Sequence, residues 1–458
     1  MRSDPRLSLA LLTILAACGD APSGDAATDT TTAADTDAET TGTGDDAAPT
    51  YWRDAKAILD ARCVDCHSPD NIAPFALTTY AEASAFAPVL APAIEDGTMP
   101  PWPPDAACRS YLHDRSLPEA EAEVLLAWID AGAPEGDPAD APASAAGPAD
   151  DGPEIDYDLE LSIPGPYTPT LAPDEYRCFV LEWPEVEDRY ITAFVVEPGS
   201  RSIVHHVIAY AVGPDDVDAI RDLDEADPDP GYLCFGGPGG RAPWIGAWTP
   251  GSRGSELEAG TGLKVAAGSA IVVQMHYHTY AGAPPDTSRL LIRTAATVER
   301  PAAVIPFTNP GWPSDADPMT IPAGEADVMH RFSADLTKAA PLFAPDGPFK
   351  FGDAMRIQAA ALHQHTLGTR SSMRILREGG DECVLEIPRW DFNWQGSYAL
   401  SSATILSPGD QLELECHWDN SAANQPYVDG VQRAPVDVAW GEGTGDEMCL
   451  GIVVASTL

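Results

Sequence analysis

Six of the ten histidines in this 458-residue chain fall into three short groups, and these groups are the residues best suited to chemistry. They are His205-His206, His276-Tyr277-His278 and His363-Gln364-His365. Each group lies in an apolar run typical of a β-strand, where residues i and i+2 point to the same face. The second and third groups can therefore each present two imidazoles to one metal ion. The adjacent pair can do so only at a strand end or an irregular turn.

The chemistry around these histidines is not that of a hydrolytic zinc enzyme. Imidazole suits copper, zinc, iron and nickel equally well. A HExxH motif is absent from the sequence, and no carboxylate accompanies the groups. A thioether ligand would point to copper, because soft sulfur favours Cu(I). The alternative is that the histidines are ordinary core or surface residues.

A second constellation, Cys63-Val64-Asp65-Cys66-His67, is typical of covalent haem attachment. Two thiols at this spacing form thioethers with the haem vinyl groups, and the adjoining imidazole reaches the iron from one face. Met99 is the predicted distal ligand, because it is the only methionine between His67 and residue 133. His113, in a polar segment, is the competing candidate. A zinc or redox CxxC would lack a second ligand pair nearby and would leave His67 unexplained.

The elements that must position these residues change character along the chain. The pattern around the cysteines is helical, which predicts a small all-α cytochrome c domain over residues 51–132, followed by an Ala/Pro/Gly/Asp linker over 133–153. Short apolar runs punctuated by Gly and Pro then predict antiparallel β structure. About 300 residues of this kind suggest two β-sandwiches, residues 154–300 and 301–458. The fold class is therefore mainly β, with a helical domain in front.

The first 50 residues predict export from the cytoplasm. Two arginines are followed by an apolar run over residues 7–17 that is too short to span a bilayer, and then by Cys18 in "LAAC". This segment resembles the lipobox of bacterial lipoproteins, so residues 1–18 are predicted to be a signal peptide and Cys18 a lipid anchor. An ordinary secretory signal is the alternative. Residues 19–50 lack Lys, Arg and aromatic residues and are typical of a disordered acidic tether.

The overall charge narrows the range of partners. The chain carries 26 Lys and Arg against 71 Asp and Glu, a net charge of −45. Nucleic acid is therefore not expected as a partner, because two polyanions repel each other. With 44% hydrophobic residues, the chain still has ample material for packed cores.

Five motifs in the β region, taken together, resemble the copper type II, ascorbate-dependent monooxygenases, the family of dopamine beta-monooxygenase and peptidylglycine alpha-hydroxylating monooxygenase. In chain order they are "YRC" at 176–178, "VHH" at 204–206, "QMHY" at 274–277, "HQHTLG" at 363–368 and "DEMC" at 446–449. The resemblance covers roughly residues 155–458. It implies two jelly-roll-like β-sandwich domains with a cleft between them. Each domain would hold one copper ion.

The resemblance also implies a ligand set and a reaction. The electron-transfer copper would be held by His205, His206 and His276, and the oxygen-binding, catalytic copper by His363, His365 and Met448. The activity implied is insertion of one atom of O2 into a C–H bond of a small organic substrate. The electrons would come from ascorbate or a periplasmic redox protein, and the fused haem c is our hypothesis for a built-in relay.

The sequence departs from the family pattern in ways that bear on the substrate. The peptide hydroxylases carry an Arg two residues before the first His of the third group, where this chain has Ala361, so a peptide ending in glycine is not expected as substrate. They also place Asn where this chain has Leu450. His278 is additional, and is expected to be a spare ligand, a residue behind the ligands or an exposed one. The aromatic segment 388–395 either lines the substrate cleft or packs in the core.

Cysteine arithmetic agrees with an exported protein. Of nine cysteines, one is predicted to carry lipid and two to carry haem, which leaves six in an oxidising compartment. The resemblance implies the pairs Cys178–Cys234 and Cys416–Cys449. The remaining Cys108 and Cys383 either join the helical domain to the catalytic half or stay free.

Two other classes of protein fit part of the sequence. The main alternative is a non-enzymatic, lipid-anchored electron carrier with haem and copper. A copper-storage module would explain the histidines but leave the haem idle. A blue-copper site is disfavoured, because Cys416-His417 lies far from Met448 along the chain, whereas that site keeps its ligands on a short loop.

Overall fold

The protein is described from a computed structural model over residues 48–142, 155–240, 242–252, 254–279, 282–314, 317–428, 431–441, 443 and 445–458. The predictions for the signal peptide, Cys18 and most of the acidic tether lie outside these residues. The chain is mainly β, with 35% strand and 16% helix, as the sequence predicts. No helix in the described ranges combines the length and apolarity needed to cross a membrane.

Five α-helices are present in the described ranges: α1 (Lys56–Arg62), α2 (Tyr80–Glu95), α3 (Glu119–Asp130), α4 (Val217–Ala226) and α5 (Leu336–Phe343). The first three pack around Leu59, Leu125 and Trp128, which are almost fully buried. Helix α2 begins with a capping box in which Thr79 and Glu82 exchange hydrogen bonds. A similar spacing at Ser116 predicts a capping box for α3, but that helix begins after Pro118 without any side-chain cap.

The strands form two large sheets and two smaller ones. Their bounds are β1 (Leu159–Ser162), β2 (Asp174–Glu182), β3 (Arg189–Glu197), β4 (Val204–Val212), β5 (Tyr232–Leu233), β6 (Trp244–Trp248), β7 (Ser255–Glu256), β8 (Thr261–Val265), β9 (Ala270–His278), β10 (Arg289–Ala295), β11 (Arg300–Phe307), β12 (Val328–Ala334), β13 (Met355–His363), β14 (Gly368–Leu376), β15 (Glu382–Ile387), β16 (Ser397–Leu406), β17 (Gln411–Trp418), β18 (Tyr427–Val428), β19 (Val431–Gln432) and β20 (Leu450–Ser456).

One nine-stranded sheet runs through both halves of the β region. Its order is β1-β10-β3-β8-β11-β20-β13-β16, with β7 added beside β3. The sheet β5-β2-β9-β4-β6 shares a core with its first half, and the sheet β12-β17-β14-β15 shares a core with its second half. The predicted domain boundary at residues 300 and 301 falls at the start of β11. That strand pairs in parallel with β8, so the halves are joined by sheet hydrogen bonds at this point.

The described residues contain three disulfides, Cys178–Cys234, Cys416–Cys449 and Cys108–Cys383. The third resolves the alternative left open by the sequence, because it ties the segment after α2 to β15. Around it, Asp105 N donates to Glu386 O at 2.9 Å and Leu112 N donates to Ala399 O at 2.8 Å. The helical part of the chain is therefore held on the second sandwich both covalently and by backbone hydrogen bonds.

Candidate metal centres and haem attachment site

His205, His206 and His276 come together between two neighbouring strands, β4 and β9. One potential ligand atom from each lies within 4.8 Å of the others. Adjacent strand residues normally face opposite sides of a sheet, but the register of β4 against β9 shifts between Val204 and His206. This β-bulge is the irregularity that the adjacent pair requires. It lets His205 turn toward the same point as His206.

Asp174, at the start of β2, stands behind this cluster. Its Oδ1 lies 2.9 Å from Nε2 of His276 and 2.8 Å from Nδ1 of His278. A carboxylate in this position fixes the proton of His276 on Nε2 and leaves the lone pair on Nδ1. Nδ1 of His276 and Nδ1 of His205 are both buried without a hydrogen-bond partner. Buried nitrogens that accept no hydrogen bond are what a metal ion would satisfy.

The protonation states of the cluster suit a cation. Burial lowers the pKa of His205 to about 4, helped by the neighbouring His276 and His278. Burial also lowers the pKa of His206, with smaller contributions from the neighbouring His276 and His205. The imidazoles are therefore neutral near pH 7 and available as ligands.

His278 is not part of the tight cluster. Its side chain is 42% exposed and hydrogen-bonded to Asp174, and its ring centroid lies 5.9 Å from that of His205. Three roles were considered for His278. Its position fits a residue behind the ligands, in contact with the carboxylate of Asp174, better than it fits a metal ligand.

The second site is formed where β13 ends. The ring centroids of His363 and His365 are 5.0 Å apart. Nδ1 of His363 is hydrogen-bonded to Oε1 of Gln395, and Nδ1 of His365 donates to the carbonyl oxygen of Asp446 at 3.0 Å. Both rings therefore keep the Nε2 lone pair for a ligand. Burial lowers the pKa of His363 to about 3, so this imidazole is neutral as well.

Strand pairing places the segment that contains Met448 beside this site. Leu450, the first residue of β20, is the register partner of His363 on β13, and Met448 precedes it by two residues. The Met448 side chain is 7% exposed. The neighbouring disulfide Cys416–Cys449 anchors the same loop to β17.

Glu447 is a buried carboxylate that holds the second site together. Its oxygens accept hydrogen bonds from His365 N at 2.8 Å, Leu367 N at 2.6 Å and Trp418 Nε1 at 2.8 Å. The residue is fully buried, and burial raises its pKa to about 7 against the opposing effect of these donors. Glu447 therefore joins the loop that carries Met448 to the one that carries His365.

The aromatic segment 388–395 wraps the second site. Besides the contact from Gln395, Trp390 Nε1 donates to the carbonyl oxygen of His365 at 3.1 Å, and the Phe392 ring lies 6.1 Å from the His365 ring. Trp390 also belongs to the core of the second sandwich. Part of the segment thus packs in the core and part of it borders the histidines, and lining of a substrate cleft stays a prediction.

The CxxCH segment follows α1. Cys63 and Cys66 are the two cysteines of the described chain that form no disulfide. Burial raises the pKa of Cys63 to about 12 and also raises that of Cys66. Nδ1 of His67 donates to the carbonyl oxygen of Phe75 at 3.0 Å, which leaves Nε2 as the nitrogen that can bind iron. Two free thiols and an imidazole oriented in this way fit covalent haem attachment.

The candidates for the distal ligand differ in their surroundings. Met99 lines a cavity of about 150 Å³ with Ile94, Trp102 and Leu117. Ile94 and Leu117 pack on the same helical core as Cys63. His113, in contrast, lies exposed in a turn. This geometry supports Met99.

Comparison with known proteins gives matches in the β region. Residues 348–454 match the C-terminal domain of copper type II ascorbate-dependent monooxygenases. The chain is 23% identical over 295 residues to DBH-like monooxygenase protein 1 of Gallus gallus, an alignment covering 61% of this chain and 44% of the relative. It is 22% identical over 214 residues to MOXD1 homolog 1 of Drosophila melanogaster. That alignment covers 46% of this chain and 28% of the relative.

The chain thus spans less than half the length of these two relatives. The segment matched by the family model contains His363, His365 and Met448. The similarity supports assignment of this C-terminal domain to the copper monooxygenase family. Because that family depends on copper, the similarity also supports copper as the metal.

Proposed function

We propose that the protein is a copper-dependent monooxygenase that inserts one atom of O2 into a C–H bond of a small organic substrate. One copper ion would be held by His205, His206 and His276, and a second by His363, His365 and Met448. A haem c on Cys63, Cys66 and His67, with Met99 as distal ligand, would relay electrons to them. A lipid on Cys18 would anchor the protein to a membrane outside the cytoplasm, on the periplasmic or cell-surface side.

The observation that carries this proposal is the pair of histidine sites on the two sandwiches. Each contains neutral, buried or half-buried imidazoles, and an acceptor behind the ring orients some of them. Asp174 accepts from His276 in the first site, and Gln395 Oε1 and Asp446 O accept from His363 and His365 in the second. A purely structural histidine would use its buried nitrogens in hydrogen bonds within the protein, whereas Nδ1 of His205 and of His276 has none.

The two sites differ in ligand chemistry, and this suits a division of labour. Copper supplies one-electron redox chemistry and, with a thioether ligand, a stabilised reduced state. The thioether would come from Met448. The reaction consumes one C–H compound, one O2, two electrons and two protons, and yields one alcohol and one water. Two electrons match two copper sites that each store one.

The surroundings of the second site favour an apolar or aromatic substrate. Ala361, which occupies the position of the carboxylate-holding Arg of peptide hydroxylases, offers no charge. Phe392 borders His365 instead. A carboxylate-terminated peptide would therefore find no counter-charge at this position, whereas the C–H group of an apolar ligand would be excluded from water there.

The experiment that tests the proposal measures the copper-to-haem ratio and O2 consumption in exported, haem-matured protein reconstituted with copper. Two coppers per haem, and about one in reduced Met448→Ala protein, would support the two sites. Substrate-dependent O2 uptake with ascorbate as donor would then support the activity. Two coppers without O2 uptake on any C–H substrate screened would favour the electron carrier. One copper or none would overturn the assignment of the histidine sites.

A further inference from the structure

The CxxCH segment lies directly against the first sandwich, close to the His205–His206–His276 cluster. A Cβ placed on Gly251, in the loop between β6 and β7, would lie 3.5 Å from Sγ of Cys66 and would clash with Nη1 of Arg115. Gly251 has φ of +79°, and its lack of a side chain leaves room for the Arg115 guanidinium beside Cys66. Because a haem thioether would make Cys66 a covalent extension of the porphyrin, the loop at Gly251 would contact the cofactor through its attachment bond.

A short chain of contacts leads from this loop to the cluster. Trp248 Nε1 donates to the carbonyl oxygen of Ser252 at 2.8 Å, one residue beyond Gly251. Trp248 is buried and is the register partner of Val207 on β4, and Val207 directly follows His206. The path from Cys66 to a histidine of the cluster thus runs over one loop and one indole ring.

A second pair of segments from the same parts lines one cleft. Pro69 and Asp70, just after His67, face the loop Pro198–Ser202 across a cleft of about 480 Å³. That loop leads into β4 and hence into His205-His206. Both loops that approach the CxxCH segment therefore belong to strands neighbouring the cluster.

The helical part is fixed in this position. A carrier domain that moves between its donor and its acceptor would not be attached in this way. The disulfide Cys108–Cys383 and the ion pair between Arg109 and Glu382 clamp its trailing segment to β15. Arg115 extends from the same segment toward the Gly251 loop, where it lies 3.5 Å from the carbonyl oxygen of Pro250.

We propose that electrons from a haem on Cys63, Cys66 and His67 pass first to the His205–His206–His276 site, through the Cys66–Gly251 contact and Trp248. This inference rests on the proposed function. The step is a one-electron transfer in which Fe(II) is oxidised to Fe(III) and Cu(II) is reduced to Cu(I), with no bond formed or broken. Trp248 lies on this path, and its hydrogen bond to Ser252 also keeps the loop against β4.

The structure also contains a competing path to the second site. Arg389 donates to the carbonyl oxygens of Asp96 and Gly97 at 2.7 and 2.8 Å, near Met99, and the adjacent Trp390 bonds to His365 O. This path begins at backbone carbonyls of the distal-side loop, whereas the first begins at the covalently attached sulfur. The experiment therefore has to separate the two.

The test follows oxidation of flash-reduced haem in anaerobic, copper-loaded full-length protein without substrate. We expect His276→Ala to abolish the fast oxidation phase and Met448→Ala to leave it intact. Trp248→Phe should slow it several-fold. The matched control is Trp183→Phe, because Trp183 is buried in the same core and its indole nitrogen makes no hydrogen bond. Loss of the fast phase in Met448→Ala but not in His276→Ala would overturn the proposal.

A second measurement needs neither copper nor haem. In full-length protein made without haem maturation, Cys63→Ser prevents a CxxC disulfide and Arg115→Ala makes room for a side chain at position 251. In this background Gly251→Cys should form a disulfide with Cys66, identified by peptide mapping. Gly165→Cys, also at positive φ but with open space around it, should form none. Free thiols at both residues 66 and 251 would overturn the contact. Ascorbate-driven hydroxylation tests the proposed function separately, because ascorbate bypasses the haem.

Discussion

Oδ1 of Asp174 lies 2.9 Å from Nε2 of His276 and so directs the other nitrogen of that ring into the histidine cluster. The same carboxylate also contacts His278. Burial alone would raise the pKa of Asp174, but the hydrogen bonds from both rings outweigh it and lower that pKa to about 2. The carboxylate is therefore ionised at any pH at which the protein would work, and it makes the His276 ring a stronger donor to a metal.

Asp174→Asn tests this relationship. The amide keeps the shape but loses the charge that raises ligand basicity, so we expect copper affinity at the first site to fall about 10- to 100-fold. Competition with a Cu(I) chelator measures the change, and the second site should be unaffected. Asp381→Asn, an exposed carboxylate, is the control. Equal affinity in Asp174→Asn and the control would show that Asp174 does not orient a ligand.

Glu447→Leu should destabilise the second sandwich. The substitution leaves His365 N, Leu367 N and Trp418 Nε1 buried without an acceptor, at a cost of at least about 3 kcal/mol of unfolding free energy. Glu447→Gln keeps one acceptor and should lose less. Urea unfolding measures both, with Glu378→Leu on the surface as control. A Glu447→Leu protein as stable as this control would contradict the role given to the carboxylate.

Replacing Cys108 and Cys383 by Ser should loosen the helical part from β15. Amide hydrogen exchange should rise at Asp105 and Leu112, whose backbone bonds to the second sandwich lie on either side of the disulfide. The unfolding free energy should fall by about 2 to 4 kcal/mol. Removing Cys178–Cys234 instead should leave exchange at these two amides unchanged. Unaltered exchange in the first variant would mean that the hydrogen bonds alone hold the segment.

Tyr111 should make the protein sensitive to alkaline pH. Burial raises its pKa to about 12, and its hydroxyl donates to the carbonyl oxygen of Val384 at 3.2 Å. The unfolded chain loses this proton near pH 10 and the folded chain near pH 12, so stability is complete below pH 10 and is lost as the pH rises between them. The contribution is about 2 to 3 kcal/mol.

The Tyr111→Phe protein isolates this effect. It should lose about 2 to 3 kcal/mol less unfolding free energy than the natural protein between pH 10 and 12, measured by urea unfolding at each pH. Tyr51, whose pKa is also raised to about 12, is present in both proteins and cancels from the comparison. Parallel pH curves for the two proteins would show that Tyr111 ionises with little penalty.

The sequence was most informative where spacing has a simple geometric meaning. The mainly β class is confirmed, and so are the pairs Cys178–Cys234 and Cys416–Cys449, which the family resemblance implies. The structure adds Cys108–Cys383, which the sequence left undecided. The convergence of His276 with His205-His206 follows from strand alternation plus one irregularity, and the bulge at Val204 supplies that irregularity. The ligand assignments themselves, and the haem, stay predictions that the experiments above test.

The residues that hydrogen-bond to the candidate ligands could not be predicted from the sequence. Asp174 is about 100 positions from His276, and only the pairing of β2 with β9 brings them together. Glu447 stands inside a quoted motif, yet its partner Leu367 lies in the turn before β14 and its partner Trp418 lies at the end of β17. The capping-box spacing at Ser116 failed because Pro118 fixes an extended backbone directly before α3.

The position of β20 in the nine-stranded sheet has a consequence for how the protein is made. This strand lies between β11 and β13, so the middle of the second sandwich is formed by residues that are synthesised after every other strand of the sheet. The first half can close on its own strands while the rest of the chain is still emerging. The second half must stay open, with β11 and β13 unpaired along one edge, until residues 450–456 arrive. The loop carrying Met448, directly before β20, would then be set in place in the final stage of folding, after the histidine cluster of the first half.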